Sequence, residues 1–239
     1  MKLLDNITSV FVPIHSEGHR FILLAGLATL VFFILWQPLG WIGAILTIWC
    51  VYFFRDPPRV TPEGDDHVIA PADGKVVAVE KAAPPEDLEI GTDPLMRVSI
   101  FMNVFNVHIQ RAPAAGRITR IAYRPGAFFD ASMDKASEDN ERQSFLMTTN
   151  DGRQLVFVQI AGWVARRIVR WVEEGEAVTA GQRVGMIRFG SRVDVYLDPD
   201  MMPLVSVGQT MIAGETVIAN AKPKARARPN HKRQNQTGA

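Results

Sequence analysis

Chemistry can come from only a few places in this 239-residue chain. Its one cysteine, Cys50, and five histidines, His15, His19, His67, His108 and His231, rule out a disulfide framework and leave no convincing metal site. Three positions remain in the part that reads as a folded body. Gly190-Ser191 interrupts what otherwise looks like one long β run from Val184 to Leu197. A serine hydroxyl is a weak nucleophile that needs a base, and the plain reading of such a pair is a bulge or a turn. His108 lies on an alternating apolar run, where the plain reading is a structural histidine. Its ordinary pKa near 6.5 also suits proton transfer. Asp73-Gly74 reads as a turn, and a carboxylate placed there can also orient an imidazole.

These groups must be positioned by elements of two kinds. Residues 21–54 contain no Asp, Glu, Lys or Arg. One helix through them would be roughly 51 Å long, well past a ~30 Å hydrocarbon core. Gln37-Pro38-Leu39-Gly40 breaks the run near its middle, because proline lacks a backbone donor and glycine tolerates a tight turn. The expectation is a membrane-anchoring helical hairpin. Lys2, His19 and Arg20 precede it and Arg55 and Arg59 follow it, which puts both ends on the cytoplasmic face. The charged exit does not resemble a signal-peptide cleavage site.

Beyond Asp56-Pro57-Pro58 the pattern turns β-rich. Strands are expected at Lys75–Glu80, Arg97–Met102, Arg117–Tyr123, Ser144–Thr149, Gln154–Ala161, Val184–Phe189 and Arg192–Leu197. Asn150-Asp151-Gly152 marks a hairpin, and the polar, acidic stretch 131–142 reads as a loop or surface helix. Two internal echoes stand out. Ala72-Asp73-Gly74-Lys75-Val76 matches Ala115-Gly116-Arg117-Ile118, and the Gly175–Gln182 turn matches Gly208–Glu215. The repeated turn resembles those of biotinyl and lipoyl carrier domains, which implies a mainly β sandwich or barrel. A swinging-arm carrier needs a modifiable lysine, and none occurs from Ala136 to Ala221. A membrane-anchored carrier or adaptor is therefore the second reading.

The body, about residues 55–220, resembles the phosphatidylserine decarboxylase family in its shorter form. The likeness rests on Phe54-Arg55-Asp56-Pro57, Ala70-Pro71-Ala72-Asp73-Gly74-Lys75-Val76, the run Phe101–Pro113 around His108, and Phe189-Gly190-Ser191-Arg192-Val193-Asp194, in that order behind an apolar segment. It implies a self-processing lyase with a pyruvoyl cofactor made from Ser191. In that chemistry Ser191 Oγ attacks the Gly190 carbonyl. The resulting ester eliminates, and hydrolysis leaves a pyruvoyl-blocked α chain, 191–239, beside a β chain, 1–190, as a heterodimer. The ketone forms a Schiff base with the serine amine of phosphatidylserine and accepts the electrons left by departing CO2, giving phosphatidylethanolamine. His108, with Asp73, is the expected base for Ser191 and the acid that reprotonates the carbanion.

Longer family members carry a second histidine where this chain has Arg111, whose guanidinium suits a substrate carboxylate or phosphate. The expected layout is thus an N-terminal segment 1–20, the hairpin 21–54, the catalytic β domain 55–220 and a basic tail 221–239. The partners are phosphatidylserine and membrane lipid, a higher oligomer being compatible with this. The six cations of 222–239 leave residues 1–221 at −5 out of a net +1. That tail reads as disordered, and with no interleaved aromatics it makes no case for nucleic acid.

Overall fold

The computed structural model describes residues 12–64, 66–126, 140–162, 167–188 and 191–221. Gly190, most of the acidic 131–142 stretch and the basic tail lie outside them. Two apolar helices, α1 (Ser16–Leu35) and α2 (Gln37–Phe53), form the expected hairpin. The break is the single extended residue Trp36. Pro38 falls in the first turn of α2, where its missing N–H would be unpaired in any case. Gly40 stays helical and serves close approach: a Cβ there would meet the Phe33 ring at 2.3 Å. Thr29 and Thr47 hydroxyls join the helices at 2.9 Å. α1 is long and apolar enough to cross a membrane, with a mean hydropathy of 1.9. The two ends are zipped together by an Ile14–Arg55 bridge and by His15 N to Phe54 O and Asp56 N to Pro13 O.

The body is mainly β, as expected. An eight-stranded antiparallel sheet is built from β2 (Gly74–Ala82), β3 (Leu95–Met102), β5 (Gly116–Arg124), β6 (Arg142–Thr149), β7 (Gln154–Ala161), β9 (Ala177–Val178), β11 (Ser191–Leu197) and β13 (Thr210–Met211). Their order is β13-β2-β3-β11-β7-β6-β5-β9. One three-stranded sheet holds β1 (His67–Ile69), β12 (Met201–Pro203) and β14 (Val217–Ala221). The other holds β4 (Ile109–Arg111), β8 (Ile168–Arg170) and β10 (Arg183–Ile187). The main core includes Val98, Ile100, Phe145, Phe157, Val193 and Val195.

The sequence echoes are an internal symmetry of the sheet. The second glycine-bounded turn pairs with the first echo at β13–β2, with Met211 opposite Gly74, and its counterpart does so at β9–β5, with Val178 opposite Gly116. The backbone bonds repeat: Val76 N to Gln209 O and Gly208 N to Val76 O in one half, Ile118 N to Glu176 O and Gly175 N to Ile118 O in the other. Gly175, Gly181, Gly208 and Gly214 all have positive φ, the conformation a Cβ resists. The resemblance to carrier domains is one of sequence at these turns, and the strand order does not establish it.

The run from Val184 to Leu197 is not one strand. β10 ends at Ile187 in a three-stranded sheet, and β11 begins at Ser191 in the eight-stranded one. The chain changes sheet at this point.

Candidate active site

Ser191 opens β11, between Met102 of β3 and Ala161 of β7. Strand alternation gives it the core-facing side shared with Val193, Val195 and Leu197. It is fully buried, and its Oγ has no hydrogen-bond partner among the described residues. A buried hydroxyl left unpaired asks for a reason beyond packing.

His108 is brought to the same corner by β4. Its carbonyl accepts from Ile187 N at 3.3 Å, at the end of the strand just before Ser191. The same carbonyl accepts from Gln110 Nε2 at 2.9 Å. Gln110 also takes a hydrogen bond from Gln159 at 2.9 Å and lies 3.6 Å from the sulfur of Met102, the residue across from Ser191. Nδ1 of His108 is 3.0 Å from the Asn106 carbonyl. A carbonyl can only accept, so the proton is on Nδ1 and the lone pair on Nε2. The Phe53 ring covers the imidazole at 4.3 Å between centroids. Burial is the main cause that lowers the histidine to about 4; the Asn106 carbonyl raises it and the Arg55 cation lowers it. At neutral pH this imidazole is uncharged and able to accept a proton.

Asp73 precedes β2 at a turn that only glycine completes, since a Cβ on Gly74 would meet the Phe101 carbonyl at 2.1 Å. Its carboxylate does not touch His108. It accepts both bonds from Arg59, at 2.8 and 3.0 Å, and one from Ala213 N at 2.8 Å. The tautomer-fixing contact expected of Asp73 is made by Asn106 instead. The reason is local: the Asn106 carbonyl, two residues away, closes on Nδ1, while the Asp73 carboxylate is taken up by Arg59 and Ala213 N. Under the internal symmetry the counterpart of Asp73 is Ala115, so only one half of the sheet carries this charge.

Arg111 is nearly buried and already engaged. It donates to Gly181 O at 2.9 Å and Pro57 O at 3.3 Å, and pairs with Asp56 at 3.6 Å. Asp56 is also held by Arg183 at 2.8 Å. Arg111 therefore ties the anchor exit to the body.

Sequence reasoning missed several residues around the site. Phe53 and Phe54 are fully buried with Val107, Ile109 and Met186, so the boundary at 54/55 runs through a packed cluster. Arg188, just before the crossover, pairs with Glu17 and lies over the Phe21 ring at 5.0 Å. Arg192 and Asp194 form a buried pair on the opposite face of β11, with Nε to Oδ1 at 2.9 Å. Their opposite charges at i and i+2 of a strand were the one available signal.

A buried hydroxyl with no partner among the described residues thus opens the strand that follows β10, whose last residue bonds the His108 backbone; a serine with a neutral imidazole within the same corner of the fold is the kind of residue set nucleophilic chemistry uses. Comparison with known proteins agrees. The family model described as phosphatidylserine decarboxylase matches residues 46–219. A protein of Cereibacter sphaeroides named phosphatidylserine decarboxylase proenzyme is 52% identical over 217 residues, covering 91% of this chain and 94% of that one.

Proposed function

The chain belongs to the phosphatidylserine decarboxylase family, and from that premise we propose how its residues make and use their cofactor. The enzyme decarboxylates phosphatidylserine to phosphatidylethanolamine and is made as a proenzyme that processes itself. The observation that carries the reading is Ser191: a fully buried hydroxyl with no partner among the described residues, at the first position of a central strand. Cleavage before Ser191 would make residue 191 the end of a chain already anchored on both sides by β3 and β7. That position fits a pyruvoyl group, which would supply an electrophilic ketone and a sink for the electrons released with CO2.

His108 takes the Ser191 hydroxyl proton at Nε2, the nitrogen with the lone pair. Its lowered pKa keeps the imidazole unprotonated at neutral pH, and Ser191, on giving up its proton, attacks the Gly190 carbonyl. Asp73 acts at one remove. Its charge offsets Arg59, which it binds, and Arg55, whose cation disfavours a charged His108. The reprotonation step asks more of His108. With a pKa of about 4, the imidazolium is roughly one molecule in 10³ at pH 7. Donation from this residue requires the processed site to be wetter than the precursor. Arg111 stands beside the site as the cation for a substrate anion, which would have to share a guanidinium held by Gly181, Pro57 and Asp56.

The apolar hairpin anchors the enzyme in the cell membrane, and the basic residues flanking it put the body on the cytoplasmic face. The pairing of its two ends supports entry and exit on one side. The α and β chains stay together as a heterodimer, because β11 of the α chain lies between β3 and β7 of the β chain.

The test is processing. Purified protein should separate into chains of roughly 21 and 5 kDa, the smaller one blocked to Edman degradation until reductively aminated. Ser191→Ala should remain whole and inactive. An uncleaved chain that decarboxylates phosphatidylserine would refute the proposal.

A further inference from the structure

The loop that delivers His108 also carries an exposed aromatic residue. Phe105 is 59% exposed, and its backbone is braced on both sides. Asn103 Oδ1 accepts from Phe105 N at 2.8 Å, Asn106 Oδ1 from Asn103 N at 2.9 Å, and Asn103 O from Asn106 N at 3.0 Å. A loop so closed on itself holds the ring outward. The Asn106 carbonyl in turn holds His108, so one short rigid unit joins a surface ring to the buried imidazole.

A single exposed apolar residue needs no explanation, but Phe105 has neighbours of its kind. Arg55, two residues past the end of α2, is their hub. Its Nη2 donates to the Phe105 carbonyl at 2.8 Å. Its guanidinium lies 3.7 Å over the ring of Tyr52, which is 46% exposed. Its backbone bridges Ile14, which is 38% exposed. Three exposed apolar residues from three separate segments are thus tied to Arg55, two of them through their backbone, where the hairpin leaves the body. An aromatic and aliphatic rim with an arginine at its centre suits the depth where acyl chains give way to anionic headgroups.

We propose that Ile14, Tyr52, Arg55 and Phe105 form a collar that seats the body on the bilayer, with Phe105 inserted into the lipid interface to set the height of His108 against the headgroups. The partner is a phospholipid surface, because the collar is continuous with the helical hairpin. The inference rests on reading that hairpin as a membrane anchor. The hairpin tethers the enzyme, and the collar fixes how the tethered body sits.

The experiment uses the full chain in phosphatidylcholine vesicles containing phosphatidylserine, alongside dihexanoyl phosphatidylserine dispersed as monomers. Phe105→Ala should lower the ratio of kcat/KM on vesicle substrate to that on monomeric substrate about ten-fold, the scale of losing one partly buried aromatic contact. Phe105→Trp should restore the ratio, since tryptophan favours the same depth. A second readout is independent of turnover. A fluorophore on Phe105→Cys, in a Cys50→Ala background, should be quenched by spin labels near the top of the acyl chains and shielded from aqueous iodide. An unchanged ratio in Phe105→Ala, or a label equally open to iodide with and without vesicles, would overturn the collar. Wild-type protein inert on both substrates would instead refute the decarboxylase reading, while the depth measurement would still decide this one.

Discussion

His108 should titrate far below an ordinary histidine, and the effect can be followed in the uncleaved Ser191→Ala chain. Its pKa is lowered from 6.5 to about 4, chiefly by burial under Phe53 and its neighbours. The folded chain therefore leaves this imidazole neutral between those values, while the unfolded chain protonates it. Stability from this group is fully present above pH 6.5 and is lost as pH falls toward 4. A shift of that size corresponds to about 3 kcal/mol. Imidazole NMR signals of the histidine-labelled protein in detergent should show one midpoint near 4. Phe53→Ala should move that midpoint upward by about one unit, because it lets water reach the ring. In the wild-type chain self-cleavage should stay nearly constant from pH 8 to 5.5 and fail as His108 protonates. A His108 midpoint at or above 6.5, or a cleavage rate halved near pH 6.5, would refute the argument that a buried neutral imidazole is the base.

Three further substitutions test the surroundings of the site. Asp73→Asn removes the charge that holds Arg59 and should slow cleavage; if Asp73 acts through that pair, Arg59→Ala should slow it similarly, and a wild-type rate in Arg59→Ala would show that the carboxylate acts directly. Arg111→Ala should destabilise the fold by about 3 kcal/mol, read as a lower denaturation midpoint, because it takes a partner from Asp56 and from the Gly181 and Pro57 carbonyls, and the folded variant should show a raised KM; an unchanged KM would remove Arg111 as the cation for the substrate anion.

Much of this protein was legible from its order of residues. β-rich runs cut by Gly, Pro and Asn-Asp-Gly located the six strands of seven residues or more, and β10, while the equally short β14 carried no such mark. Repeated glycines disclosed the twin turns, since only glycine adopts their positive φ without strain. Absence of charge over 34 residues marked the hairpin, and the Ser191, His108 and Asp73 motifs pointed to the chemistry. Alternation, however, says which face a residue takes and not which strand or helix faces it. The change of sheet between Ile187 and Ser191, the Phe53 ring over His108 and the pairing of Asp73 with Arg59 all depend on which segments the fold brings together. Those contacts are settled only when the hairpin end packs on the body and the sheets close. Folding is also what desolvates His108: an imidazole has its ordinary basicity in water, and only a buried one is kept neutral down to about pH 4.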